Sequence, residues 1–525
     1  MSGSELAAQV REALTVDAEA FQERAEAEAE ELIEEVYDGT FDNSQAIIGL
    51  EQELYAVDDR TDALRRVPRQ LLDRIGFEKE LGLHNAELQT SPVPLSRYGL
   101  EQQEAELQAH IDAAEKAVGR ENIQLVADGM WTVPPNGETA TDYLRDSIEA
   151  DGVLASETSE GSKDDRGESF GVRVATNMSD TVRYHTMANT DYPSGLRIDA
   201  PHVTLEADTV MPESLITSIQ PHYQVPHAPD LPEHFTYALR VAGPLAALGA
   251  NSPFFPPEMY DDVPAGQILA DAWMEHRITV FEDVLNPPTG EGDPKVCFPP
   301  DFDTVEDAIH DIAQDRTIVP MDVPDGQRFD DRFRHLRHKH GSYWRWVRPV
   351  FDGASRSAAN ARIEFRPLAA QPTIRDAVAF QALFAGLMES LPRREHPVRN
   401  LDWQTAKANF YAAVCDGLDA EFTWLTADAA ETGAVDEIYG EIFEYARDGL
   451  ELRGLSTEEA RRYIRPLRER VDRRTTPARW KHGLVERQVE RGVPLTEAIW
   501  GMQARYVEQQ TETLIEGSFA DWLDD

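Results

Sequence analysis

Between Ala46 and Val57 the chain reads AIIGLEQELYAV, and its apolar and polar positions alternate with the two-residue period of a strand. Ile48, Leu50, Leu54 and Ala56 fall on one face with Gln52, while Glu51 and Glu53 share the other with Gly49 and Tyr55. One face mostly packs and the other carries charge. The two carboxylates stand roughly 6.6 Å apart along the strand, a separation that lets them flank or bridge cations, although a solvent-facing strand reads the same way in isolation.

The same alternation predicts strands at Asn85 to Ser91, with Glu87, Gln89 and Ser91 on one face, at Val203 to Leu205, and at Leu215 to Val225, where Ser218, Gln220, His222 and Gln224 line one side. Pro221 has no N–H to give a ladder and is expected at a bulge or an unpaired edge. A later strand carries Arg362, Glu364 and Arg366 on one face, with Ile363 and Phe365 behind. The helical period predicts one Glu-rich helix over residues 4–37, a short helix in 60–74, and helices at Glu101 to Val118, Phe235 to Leu248, Ile268 to Val284 (carrying Arg277), Thr304 to Gln314 and Arg375 to Met388. From about Asn400 the chain is helical, with interruptions near Gly433, Gly454 and Pro477. Residues 152–172, rich in Gly, Ser and charge, read as a flexible loop; 286–331, rich in Pro, Gly and Asp, reads as an insertion or lid.

Composition narrows the setting. The 525 residues are 41% hydrophobic, as in a globular protein, yet 96 Asp and Glu oppose 50 Lys and Arg for a net charge of -46. Such a chain repels itself in dilute buffer, whereas in molar salt the Debye length falls to about 3 Å and the repulsion is screened. The expectation is a salt-adapted, cytoplasmic protein, with an acidic partner-binding surface as the alternative. The charge also argues against nucleic acid as a ligand, because no long basic stripe offsets repulsion from phosphate. Cys297 and Cys415 lie too far apart in sequence to suggest a zinc cluster or a disulfide framework. The N-terminus has no signal-peptide pattern, and no apolar run approaches the ~18 residues of a membrane span.

Together the predicted strands present Glu51, Glu53, Glu87, Gln220, His222, Gln224, Glu364 and Arg366 on the polar side of a sheet. Burying such a face is costly unless water or cations fill it. Oxygen donors with at most one nitrogen per site suit magnesium or manganese, and two or more such ions beside an arginine suit a triphosphate. No GxxxxGK[ST] occurs, nor a GxGxxG opening a helix after a strand, so phosphates would be held by metals and arginines.

GLEQEL at 49–54, AELQTSP at 86–92, RYHTM at 183–187, SIQPHYQV at 218–225, ANSPF at 250–254, WVRP at 346–349 and IEFRPLAAQPT at 363–373 occur in an order that resembles the glutamate-cysteine ligase type 2 (carboxylate-amine ligase) family, whose catalytic sheet is similar to that of glutamine synthetase. The resemblance implies an α+β fold: a curved, mostly antiparallel sheet flanked by helices. With it go an expected catalytic domain at 46–395 and a helical C-terminal region at 396–525 packed onto it; the N-terminal helix, at 1–45, lies ahead of the match and exceeds what a compact member needs. The implied activity is an ATP-dependent ligase that phosphorylates a substrate carboxylate and lets an amine displace the phosphate. Carried over position by position, Glu51, Glu53, Glu87 and Glu364 are implied metal ligands, with Glu80 a further candidate and His222 beside metals and phosphates. Arg366 is implied to meet the transferred phosphoryl group, and Gln220, Gln224 and Arg348 to contact the nucleotide. Arg277, Arg348 and Asn251 are implied to contact the substrates.

Each position also has a structural reading. Arg348 can stack on Trp344 or Trp346, His222 can be a structural hydrogen bonder, and Asn251 can simply turn the chain. The implied substrates are small molecules, glutamate as acid and cysteine as amine, with ATP and Mg2+ or Mn2+. The alternatives are the same mechanism with another acid or amine, or a catalytically silent relative that binds a nucleotide or metabolite.

Overall fold

The alternating stretch forms a twelve-residue strand, β1 (Ile47–Asp58). The computed structural model, which describes residues 3–150, 171–288 and 292–523, sets it within an eight-stranded sheet with β2 (Glu78–Lys79), β3 (Asn85–Gln89), β4 (Val93–Pro94), β5 (Ile123–Val126), β6 (Ile219–Gln224), β7 (Val347–Asp352) and β8 (Asn360–Phe365). The order is β7-β8-β6-β1-β3-β2, and β4 and β5 pair with the beginning and end of β1. Every pairing is antiparallel, and the sheet curls into a half-barrel, the α+β architecture expected from the sequence.

The helices used below are α1 (Gly3–Leu14), α2 (Ala18–Tyr37), α3 (Arg97–Val118), α4 (Leu231–Gly249), α5 (His276–Leu285), α6 (Val305–Gln314), α7 (Ile374–Ser390), α8 (Val435–Leu452), α9 (Thr457–Asp472), α10 (Pro477–Glu490) and α11 (Leu495–Thr513). Ile48, Leu50, Leu54, Ile219, Tyr223, Ile363 and Phe365 are buried in one core with α4 and α7, and the Phe365 ring stacks on Phe384 of α7 at 4.6 Å. Each fully buried side chain of this size contributes about 1.5–3 kcal/mol, so the apolar side holds the strands in register while the other side stays polar.

Several expectations need correction. The single helix over 4–37 is two: Asp17 accepts the N–H groups of Glu19 and Ala20 at 3.0 and 3.1 Å and caps α2, so the chain restarts there. The helix over 268–284 is also two, Ala265–Asp271 and α5, because Glu275 leaves the helical path to bridge Ser252. The C-terminal region is not wholly helical: Trp424–Leu425 and Glu431–Thr432 form a small hairpin before α8. Val203–Glu206 is a strand, but it pairs with Arg197–Ala200 outside the main sheet.

Pro221 sits in a central strand, opposite Leu50. On its other side the ladder with β8 ends at His222–Glu364 and resumes at Ser218–Ala369, with one more residue on the Arg366 strand than on β6. The proline therefore lies where a bulge removes the need for its N–H. Of the loop expected over 152–172, all but the last two residues lie outside the described residues. Within 286–331, Val305, Ile309 and Ile312 of α6 are buried, and α6 packs on α2. Among the described residues, no helix is long and apolar enough to cross a membrane.

Candidate active site

Strand register sets the polar side chains in three rows. Arg348 of β7 lies opposite Glu364 of β8, which lies opposite His222 of β6, which faces Gly49 of β1. In the next row Gln220 faces Glu51, and Glu51 faces Gln89; in the third, Glu53 faces Glu87, and Glu87 faces Glu78. Directly opposed residues have Cβ atoms about 4.5–5.5 Å apart, so the rows crowd like charges that neither strand could gather alone.

That crowding shows in the acidities. Burial and the neighbouring Glu80 charge push Glu53 up to about 7, although Ser218 N–H (2.7 Å), Ser218 Oγ (2.9 Å) and the Gln220 amide (3.0 Å) donate to its carboxylate. Burial, Glu51 and Glu80 hold Glu87 well above the usual carboxylate range. Glu213, in the turn Met211–Leu215, is likewise held high by burial, Glu80 and Glu53, while Arg366 and Arg277 pull it down. The cluster thus comprises Glu51, Glu53, Glu78, Glu80, Glu87 and Glu213.

Glu364 has the opposite environment. Despite burial, Arg348 (2.9 Å) and Arg366 (2.6 Å) hold its carboxyl well below the ordinary range. Arg366 Nη1 also donates to Gln220 Oε1 at 2.7 Å, so Gln220 spans from Arg366 to Glu53. Arg362 Nε donates to His222 Nδ1 at 3.2 Å, which leaves the ring proton on Nε2, 3.3 Å from Glu51 Oε1. Arg348 donates to His340 O and Tyr343 O as well as to Glu364; the arginine that lies over Trp346, at 5.3 Å, is Arg277.

Arg277 is buried at the start of α5 and donates to Arg366 O at 3.2 Å. The ANSPF segment holds it there. Asn251 N–H donates to Glu275 Oε2 at 2.9 Å, Ser252 Oγ bonds Glu275 Oε1, and Arg277 N–H donates to Ser252 Oγ at 3.0 Å. The Asn251 side chain is fully buried, with its amide on Ala370 O and Tyr506 Oη. Gln224, at the far end of β6, donates to Gln45 O at 3.1 Å.

Two clefts open on these rows and share Glu51, Gln89, Asp352 and Arg362. One, of about 390 Å³, is walled by Ile47, Ile48, Leu50 and Pro92 and reaches His222 and Gln224. The other, of about 710 Å³, contains Arg348 and Glu364 beneath Leu32 of α2, Ile312 of α6 and Leu336. Sequence periodicity did not single out Arg183 or Glu213, whereas Arg362 stands on the strand face predicted for it. Arg183, in the RYHTM segment, makes no hydrogen bond or ion pair among the described residues, and its Nη2 is buried without an acceptor. Burial holds Arg183 down to about 10, with the Arg348 charge acting in the same direction. Its guanidinium lies against Gly341, where a Cβ would collide with it.

The donor set is chemically suited to a hard divalent cation, since it offers carboxylate oxygens whose mutual repulsion a dication relieves. Among the described residues, no three histidine, cysteine or carboxylate side chains converge ready-made on one point. Glu53 is turned to Ser218 and Gln220, and Glu364 to its two arginines, so binding would draw these side chains out of their present hydrogen bonds.

The curled antiparallel sheet with carboxylates and arginines on its polar face is similar to the fold of known ligases. The chain superposes on glutamate-cysteine ligase from Francisella tularensis, solved in complex with AMP, over 92% of each chain at 15% identity and a TM-score of 0.52. A bifunctional glutathione synthetase from Pasteurella multocida aligns over 89% of this chain and 53% of its own, at 13% identity and a TM-score of 0.49. No curated protein sequence matches significantly. The sequence profile of glutamate-cysteine ligase family 2 matches residues 47–498, and the chain belongs to that family. Its class is accordingly carboxylate-amine ligase, acting on small molecules.

Proposed function

We propose that the chain joins the γ-carboxylate of glutamate to the amine of cysteine, using ATP and Mg2+ or Mn2+, in a salt-rich cytoplasm. A carboxylate oxygen of glutamate attacks the γ-phosphorus of ATP and ADP leaves, giving an acyl phosphate. The cysteine nitrogen then attacks the acyl carbon, phosphate leaves, and the nitrogen gives up a proton to solvent. The observation that carries this reading is Arg366, fixed by Glu364 and Gln220 at the edge of a cluster of mutually repelling carboxylates. Such a site accepts cations and polyphosphate together.

Glu51, Glu53, Glu87 and Glu364 would hold the metal, with Glu80 beside them; the bound dication supplies neutralisation of phosphate charge. Arg366 presents a rigid fork of donors to the transferred phosphoryl group, and Gln220 keeps that fork in place. His222, whose Nε2 stands 3.3 Å from Glu51, lies beside the metal and the phosphates. The apolar cleft bordered by Gln224 suits a nucleoside base, and Arg348 faces the phosphate side. Arg183 and Arg277 bind the acid substrate, while Asn251 acts through Glu275 to position Arg277.

The test is ADP release in molar potassium chloride with ATP and magnesium, with product mass determined. Release that requires both glutamate and cysteine, with a γ-linked product, is the expected result. Turnover only with another pair replaces the substrates. Glu53→Gln and Arg366→Ala should each lower turnover by about 10²–10³-fold, the scale on which charge-stabilising donors act. Near-normal turnover in both refutes these roles.

A further inference from the structure

Sharing no lining residue with the clefts of the polar sheet, a groove of about 1010 Å³ is bordered by helices α8 and α9. Six arginines line it: Arg375, Arg447, Arg461, Arg462, Arg465 and Arg468. The acids at its wall are Glu458 and Glu459, and Glu459 is already engaged by the Ser456 cap and by Arg97. The local balance is the reverse of the chain as a whole, where acids outnumber bases 96 to 50.

Three of these side chains are free. Arg447 pairs with Asp448 at 2.8 Å, Arg462 with Glu104 at 3.2 Å, and Arg375 stands 4.0 Å from Glu104. Arg461, Arg465 and Arg468 are exposed and make no hydrogen bond or ion pair among the described residues; Arg468 only lies over the Phe443 ring at 5.0 Å. They recur at the i, i+4, i+7 spacing of one helix face, about 6 and 10.5 Å along the axis. Ala460, Ile464, Leu467 and Val471 are buried, so packing holds α9 and fixes where its arginine row stands. A chain with an excess of carboxylates has every opportunity to pair such residues and leaves these three open. Guanidinium forks recognise planar or tetrahedral oxyanions, and successive forks one turn apart match a ligand that carries more than one.

We propose that this groove binds a small molecule bearing a diphosphate or longer phosphate chain. Arg461 and Arg465 grip adjacent phosphates, and Arg468, held over the Phe443 ring, borders the rest of the ligand. Titration calorimetry with inorganic pyrophosphate, without divalent cations and at the lowest ionic strength at which the wild type keeps the melting temperature it has in molar potassium chloride, tests this on the full chain. The comparison is among wild type, Arg366→Gln, Arg465→Gln and the triple variant Arg461→Gln/Arg465→Gln/Arg468→Gln. One site per chain is expected, unchanged within twofold in Arg366→Gln, weakened about threefold in Arg465→Gln and at least tenfold in the triple variant. The substituted side chains are exposed, and an unchanged melting temperature establishes that the variants fold. No binding in the wild type overturns the proposal, as does binding lost in Arg366→Gln but kept in the triple variant. Equal affinity for citrate removes the phosphate assignment. A dimer in sedimentation that the triple variant dissociates identifies a second copy of the acidic chain as the occupant instead.

Discussion

Replacing Lys481 with methionine should cost about 3–5 kcal/mol of stability, because it strips one charge from a pair with no access to water. Lys481 is 2% exposed and Asp128 is fully buried. The ammonium bonds Asp128 Oδ1, donates to Asn251 O at 2.8 Å and lies 4.4 Å from the centre of the Tyr506 ring. Asp128 Oδ2 accepts the Gln503 amide at 3.0 Å and the Tyr55 hydroxyl at 3.3 Å. Methionine keeps the stem and leaves the carboxylate unpaired. If the 525 residues unfold as a unit, at about 2.1 cal/mol/K of unfolding entropy per residue, the melting temperature falls by about 3–5 °C.

The loss should depend on pH. Burial already holds Asp128 above the usual carboxylate range, while Lys481 pulls it down; without the lysine it rises further. An acid whose folded pKa exceeds its unfolded one contributes stability below the unfolded value and loses it as pH rises through the folded value. The deficit of the variant is therefore small near pH 4 and grows toward alkaline pH. Adding Asp128→Asn to Lys481→Met removes the stranded charge and should return at least half of the loss. Scanning calorimetry from pH 4 to pH 8.5 reads all of this. A melting temperature within 1 °C of wild type at pH 8, or a deficit that does not change with pH, would refute the reasoning.

Two further outcomes follow from the polar face. Arg183→Gln removes a charged donor with no acceptor of its own, so the KM for the acid substrate should rise about 10–100-fold, as for a charge-assisted hydrogen bond of about 1.5–3 kcal/mol, with a smaller change in kcat. A KM within twofold of wild type counts against the assignment. Magnesium at a hundred times its dissociation constant should stabilise the wild type by about 2.7 kcal/mol, whereas Glu87→Gln should respond weakly to magnesium yet melt higher than wild type in its absence, by a margin that grows as pH rises and Glu87 is driven to ionise against burial, Glu51 and Glu80. Thermal melts with and without magnesium check both signs, and a metal-free Glu87→Gln that melts lower refutes the repulsion argument.

The parts of this site that were legible in sequence are those carried by two-residue periodicity. Glu51 and Glu53, Glu87, Gln220 and His222, and Glu364 and Arg366 each sit on a strand whose opposite face is apolar, so burial of one face dictates the direction of the other. Arg183 and Glu213 come from a six-residue helix and a five-residue turn, too short for any period, and reach the cluster only through tertiary packing. The break in the helix over 268–284 was hidden for a similar reason, since its cause, Ser252, lies 23 residues from Glu275. The roof over Glu364 was equally unreadable, because Leu32, Ile312 and Leu336 look like ordinary helix-stripe residues until the sheet is in place.

The central place of β1 has a consequence for how the chain is made. Its β3 neighbour follows closely in sequence, but the residue that pairs with Ile48 on the other edge is Tyr223. At 5–20 residues per second, the open edge of β1 waits on the order of ten to thirty seconds on the ribosome before β6 exists to cover it. An uncovered strand beginning Ile-Ile-Gly-Leu invites pairing with another nascent chain. Glu51 and Glu53 interrupt that run with two like charges, so the same carboxylates that crowd the finished sheet act during synthesis as gatekeepers against aggregation.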